Sequence, residues 1–302
     1  MELKPKPPFN FRLTATHMYL MPPATYSGGI FSRILTLESG KPVHVSIKAN
    51  DKVDDPELFI SFKSEVSKEE EREIKNKISF MFSIEDDLVE FYSIAKSDLV
   101  LRYAIKNLYG LKIQTTPTLF EGLTIGFCLQ WVSFQRGVEM LDCLIKKYGK
   151  RINDYYAFPE PVTFASSPLQ ELIKCKLGFR AERIKWISQR VSSGLNLEKL
   201  KVLPDNRLRE ELMKIKWVGK STAEALLLWR FKRYNSFPLD VWSAKIFRMF
   251  YPQFRNQPPS DIAKYAAKLW RNYRGLAYYY IMCDRKNIAQ KLNVELEEKW
   301  NL

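Results

Sequence analysis

Histidine is nearly missing from this chain. His17 and His44 are the only two among 302 residues, both in the N-terminal part and without metal-ligand spacing. That scarcity argues against a zinc site and against a triad built on histidine. Cysteine is almost as rare. Cys128, Cys143, Cys175 and Cys283 lie too far apart for a CxxC pair or a compact metal cluster, and they are expected to be buried free thiols. No apolar run reaches the ~18–20 residues that would span a bilayer, so no membrane partner is expected. The start, MELKPKPPFNF, has no apolar h-region and reads as a proline-stiffened tail rather than a signal peptide. Cytoplasmic residence follows by default. Internal repeats and low-complexity segments are lacking too.

What is present is a large core and a positive charge. The chain is 46% hydrophobic and 14% aromatic, enough to fold without relying on disorder. Its net charge is +14, and residues 201–250 alone hold eleven basic and five acidic side chains, a net +6. A basic, aromatic-rich chain most often meets nucleic acid through phosphate neutralisation. A solvated surface rich in Lys and Glu, of the kind thermophiles use, is the alternative.

Residues 10–64 read as β. KPVHVSIK alternates Val43, Val45 and Ile47 with His44, Ser46 and Lys48, the period of a half-buried strand. Residues 30–37 and 58–62 are further strands, and an antiparallel sheet joins them. From Ser67 the pattern turns helical, with acids early and lysines late as the helix dipole favours. Helices are expected over 85–95, 99–108, 119–130 and 133–148, with Gly149 ending the last. The stretch FPEPVTFASSP reads as a loop. Ser167, Pro168 and Gln170 then make a capping box. Another helix opens near Gly178 and ends near Gly194, and two terminal helices cover 258–270 and 275–292.

The organising stretch is residues 203–247. Two amphipathic helices flank a tight turn at Lys216-Trp217-Val218-Gly219, and Ser221-Thr222-Ala223 starts the second helix. A helix N-terminus of this kind presents unpaired N–H groups to a phosphate. Asp240 follows some twenty residues after the turn. It can cap the next helix, or support a sugar cation as an N-glycosidic bond breaks. Both roles can coexist.

This combination resembles the helix–hairpin–helix/GPD DNA glycosylases, whose hairpin is followed by a Pro-x-Asp element like Phe237-Pro238-Leu239-Asp240. Leu177-Gly178-Phe179-Arg180-Ala181 is similar to a segment of the 8-oxoguanine glycosylases. The N-terminal sheet and Gln130-Trp131-Val132-Ser133 resemble both those enzymes and the 3-methyladenine glycosylase II branch. The resemblance implies an α+β fold: an N-terminal antiparallel β-sheet subdomain over 1–115, and a predominantly helical core over 116–302 with the hairpin near 205–231. It implies excision of a damaged purine from double-stranded DNA by a monomer, in base excision repair. Asp240 would be the catalytic carboxylate. The DNA contacts would be Trp217, Gly219, Ser221, Thr222 and Lys245 near the hairpin, with Gln130 and Trp131 filling the gap left by a flipped base. Phe127 and Trp242 would stack on that base. Carbonyls of Met213, Ile215 and Val218 would surround a monovalent cation. No other cofactor is expected, and the cysteine spacing speaks against an iron–sulfur cluster.

The sequence departs from the family pattern twice. Lys216-Trp217 stands where Leu-Pro-Gly-Val-Gly turns have Pro-Gly. Bifunctional members carry a nucleophilic lysine two residues after the second glycine; here that place holds Ser221, and the lysine is Lys220. A monofunctional water mechanism is therefore expected. The alternatives are a bifunctional 8-oxoguanine glycosylase/lyase using Lys220, and a non-catalytic hairpin protein that only binds DNA.

Overall fold

The computed structural model describes residues 1–17 and 20–296. Five strands form one antiparallel sheet in the order β1-β5-β4-β3-β2: β1 Glu2–Leu3, β2 Thr25–Ser27, β3 Ile30–Thr36, β4 Pro42–Ala49 and β5 Leu58–Phe62. The alternation in β4 works as expected. Val43, Val45 and Ile47 point into a core with Phe31, Leu35, Leu58 and Ile60, closed by α1 (Phe11–Thr16) and α2 (Lys68–Met81). Ser67 caps α2 through a full capping box with Glu70.

Two further apolar cores lie among the helices. One gathers α5 (Leu119–Leu129), α6 (Phe134–Tyr148), α9 (Arg180–Ser192) and α10 (Asp205–Met213). The other gathers α3 (Val89–Ser97), α4 (Leu101–Asn107), α12 (Val241–Phe250), α13 (Pro259–Trp270), α14 (Arg274–Cys283) and α15 (Arg285–Leu292). Helix α11 (Lys220–Trp229) belongs to both: Ala223, Leu226 and Leu227 face the first core and Leu228 the second. The sheet is tied to the first core by a buried ion pair. The guanidinium of Arg33 on β3 donates to both carboxylate oxygens of Glu121 on α5, at 3.2 and 2.9 Å.

Several expectations are corrected. The N-terminal eleven residues are no loose tail. Glu2 and Leu3 pair with Phe59 and Leu58, and Phe9 and Phe11 are buried. Residues 11–16 are helix rather than strand, capped by the Asn10 side chain on Leu13 N–H. The expected loop before Pro168 contains the short α7, Pro161–Ser166. Ser167 ends α7 instead of capping the next helix: its hydroxyl donates to the Thr163 carbonyl at 2.7 Å, and α8 (Leu169–Ile173) has no side-chain cap. A two-stranded hairpin, β6 Arg151–Ile152 with β7 Tyr155–Tyr156, lies against the sheet where the Tyr155 ring packs at a tilt on His44. The terminal helix expected over 275–292 is broken at Asp284 into α14 and α15. Two cysteines are not free thiols, because Cys143 on α6 and Cys175 after α8 form a disulfide. Cys128 and Cys283 are free.

Candidate nucleic-acid interface and active site

The hairpin forms as its sequence dictates. Helix α10 stops at Lys214, the chain turns through residues 215–219, and α11 begins at Lys220 with Gly219 as its N-cap. No side chain caps α11, so its first amides are left to an external acceptor. Among the described residues nothing would touch a Cβ built on Gly219, so its bareness leaves the approach to those amides open. The left-handed residue of the turn is Trp217, with φ of 66°, a conformation that costs a non-glycine residue about 1–3 kcal/mol. Its indole is held in compensation. It meets Trp186 of α9 edge-on at 5.8 Å, with the Lys216 ammonium 4.2 Å and the Arg183 guanidinium 5.7 Å from its ring centre.

Asp240 is exposed but not loose. Its Oδ1 accepts from the Ser243 amide and from the Ser243 hydroxyl, both at 2.7 Å, and the Asp240 amide donates to the Ser243 hydroxyl at 3.0 Å. This box caps α12 and fixes the carboxylate. Tyr278 lies buried beneath it. Burial, and then the Asp240 charge, push the Tyr278 phenol upward, while the Ser243 hydroxyl pulls it back.

A second carboxylate, which the sequence did not single out, sets Asp240 relative to the hairpin. Glu224 on α11 pairs with Arg209 of α10 and accepts from the Ser236 hydroxyl and, at 3.2 Å, from the Phe237 amide. The loop leading to Asp240 therefore hangs from the hairpin's second helix. Its other side lies against Gly275 of α14, whose amide donates to the Tyr234 carbonyl at 2.7 Å. A side chain at Gly275 would collide with the Ser236 and Tyr234 carbonyls. Only glycine lets these backbones approach.

Gln130 and Trp131 form the turn between α5 and α6. Trp131 is 88% exposed, with φ of 58°. Gly137 allows the turn, since a Cβ there would meet Leu129 and the Cys128 carbonyl. Arg180, buried at the start of α9, donates to the Gln130 carbonyl from Nε at 3.0 Å and also from Nη2. A guanidinium at this helix C-terminus complements the negative end of the dipole. Arg183 donates to the Gln130 side-chain oxygen.

The other expected site residues separate. Phe127 is 1% exposed in the first helical core and presents no face to a base; that expectation is corrected. It lies on the inward side of α5, whereas Trp131 sits past the helix end. Trp242 is half-buried, with the Arg285 guanidinium 5.7 Å from its ring centre. Lys245, Lys220 and Ser221 are exposed, and Thr222 is half-buried. Ile215 gives its carbonyl to the Val218 amide at 3.0 Å, while no backbone hydrogen bond among the described residues ends on the carbonyls of Met213 or Val218. Such carbonyls suit a hard monovalent cation, because each oxygen keeps a lone pair. Among the described residues no three His, Cys, Asp or Glu side chains gather in a way that could hold a metal ion, and no helix is long and apolar enough to cross a membrane. A cavity of about 810 Å³ lies elsewhere, lined by Arg33, Phe80, Glu121 and Arg230 between the sheet and the first helical core.

No family model matches the chain. It is 26% identical over 233 residues to a DNA-3-methyladenine glycosylase of Bacillus subtilis, covering 74% of this chain and 76% of that one. In structure it resembles a 3-methyladenine DNA glycosylase of Archaeoglobus fulgidus, with a TM-score of 0.78 at 20% identity over 95% of this chain and 98% of the other. It also resembles an 8-oxoguanine glycosylase/lyase of Clostridium acetobutylicum solved with double-stranded DNA, with a TM-score of 0.67 at 21% identity over 91% and 99% of the two chains. The likeness in structure establishes the fold.

Proposed function

We propose that this chain, which has the fold of the helix–hairpin–helix DNA glycosylases, excises a damaged purine from double-stranded DNA in base excision repair, acting as a monomer. The observation that carries the reading is the pairing of an uncapped hairpin helix with an exposed, immobilised carboxylate, joined through Glu224. The amides near Trp217, Gly219 and Ser221 hold a backbone phosphate, with a monovalent cation at the Met213, Ile215 and Val218 carbonyls adding positive charge beside it. Lys245 neutralises phosphate charge nearby. Trp131 enters the space vacated by the extruded base, and Trp242 is the remaining aromatic to stack on it.

Asp240 stabilises the positive charge that grows at C1′ as the bond to the base breaks. Water then adds to C1′ and gives up a proton. A cationic purine leaves neutral with the bonding electron pair, and that proton passes to solvent. A neutral purine leaves with a proton of its own, and in either case an abasic site remains. Ser221 stands where an amine nucleophile would be needed for strand cleavage, which favours the monofunctional course. A cationic alkylated purine, its bond already weakened, suits this equipment better than neutral 8-oxoguanine, which needs more specific contacts.

Lys220 keeps a second reading open. It is exposed at the first position of α11, and no ion pair engages it among the described residues. The test uses duplexes carrying an alkylated purine or 8-oxoguanine, with borohydride in one arm and alkali in the other. Wild type should give alkali-dependent strand cleavage and no covalent adduct, and Asp240→Asn should bind DNA yet lose base release by at least 100-fold. A trapped adduct lost in Lys220→Ala would establish the lyase. Equal base release by wild type and Asp240→Asn would leave a DNA-binding hairpin protein.

A further inference from the structure

The hairpin and the Trp131 turn come from different parts of the chain, yet one side chain touches both. The Arg183 guanidinium donates to the Gln130 side-chain oxygen and lies over the Trp217 ring, 5.7 Å from its centre. It also covers Phe179 at 4.5 Å. Two more contacts join the hairpin to α9: Trp217 against Trp186 at 5.8 Å, and Lys216 with Glu182 at 3.9 Å. Both hairpin residues in these contacts stand at the positions where the sequence departs from a Pro-Gly turn. Trp217 keeps a bulky side chain in a left-handed conformation that glycine would adopt without strain.

We infer that Trp217 and Arg183 are positioning residues, forming a brace that holds the phosphate-anchoring hairpin and the Trp131 wedge at a fixed separation. This rests on the glycosylase reading and adds to it how the wedge is held. A wedge that is almost wholly exposed has no packing of its own to resist displacement by stacked bases. Its stiffness must come from the turn beneath it. Arg180 secures that turn through the Gln130 carbonyl, and its other contacts are with Leu177 and Phe179 just before α9. Arg183 extends the hold to the hairpin. Anchoring a phosphate then fixes where the wedge enters the duplex, so the ordering cost is met before DNA binds.

The two side chains act through one connection, so their effects on flipping should not multiply. The experiment measures 2-aminopurine fluorescence at the target position of a duplex, which rises when that nucleotide leaves the stack. Affinity for the same duplex comes from anisotropy, and folding from thermal unfolding. Arg183→Met should reduce the flipped fraction about tenfold with affinity changed less than threefold, and Trp217→Gly should reduce the flipped fraction by a similar factor. The double variant should fall no further than the stronger single one. Trp217→Phe, which keeps an aromatic face for Arg183, should recover most of the signal.

If Trp217→Gly fails to fold, Trp217→Leu, which also removes the aromatic face, takes its place in the comparison with Arg183→Met. Multiplying effects, or wild-type flipping in Arg183→Met, would overturn the brace. Trp131→Ala separates this from the underlying reading. If that variant flips like wild type, the wedge assignment and the brace both fall. If Trp131→Ala loses flipping while Arg183→Met and Trp217→Gly keep it, only the brace falls.

Discussion

Breaking the Cys143–Cys175 disulfide should destabilise the protein by an amount that follows from its place in the chain. The two cysteines are 32 residues apart, and the loop they close holds the end of α6, the β6–β7 hairpin, α7 and α8. Cross-linking a loop of that length removes unfolded-state entropy equivalent to about 3.7 kcal/mol at 25 °C. For a chain of this size that corresponds to roughly 7 °C in melting temperature, at ~2 °C per kcal/mol. The bridge also ties α6, which starts three residues after Trp131, to the segment that leads into Arg180. The assay has two parts. Protein unfolded in guanidinium without reductant should show two reactive thiols, Cys128 and Cys283, and four after reduction. The Cys143→Ser/Cys175→Ser variant should melt lower than wild type, and reductant should lower wild type alone. Four reactive thiols before reduction, or equal melting of wild type and variant, would refute the reasoning.

The Arg33–Glu121 pair gives a second stability test. Glu121→Ala strands a buried guanidinium and should cost about 3–5 kcal/mol in equilibrium denaturation, while Arg33→Met combined with Glu121→Leu should recover most of it. Two lysines give a pH test. Burial holds the Lys112 and Lys232 ammonium groups down at about 8, against a partial counter-pull from Asp86. The unfolded chain therefore binds more protons than the native one above pH 8, and stability from these groups rises with pH. Above pH 9 the buried phenols of Tyr234 and Tyr280 and the Cys128 thiol, all pushed upward by burial, act the other way. Between pH 8 and 9 wild type should gain stability, and Lys232→Met should gain less; equal slopes in denaturant titrations at the two pH values would count against the assignment.

The features readable from sequence are those with local causes. The period of KPVHVSIK set β4 within a residue or two, because alternation acts between neighbours on one strand. The hairpin was readable because helix propensity, a turn and an N-terminal start lie within thirty residues. So was the cap at Asp240, which needs only its own backbone and the residue three places on. The fold of the whole followed from this hairpin with Asp240 and the sheet before it.

Tertiary packing decided the rest. Phe127 and Trp131 are aromatic residues four positions apart, and both were expected near a base; the facing of α5 buries one, and the end of that helix exposes the other. Nothing near Cys143 marks Cys175 as its partner, because closeness across 32 residues depends on how α6 and α8 pack. The pairing of Glu2 and Leu3 with β5 had no local signal among the prolines, since it required an edge some fifty residues away. Glu224 read as an ordinary helix carboxylate, yet its partners come from Arg209, Ser236 and Phe237. Side-chain chemistry and short-range periodicity determine which elements form and which groups are reactive. Which of those groups meet is decided when remote surfaces bury each other, and a linear sequence holds no local record of that contact.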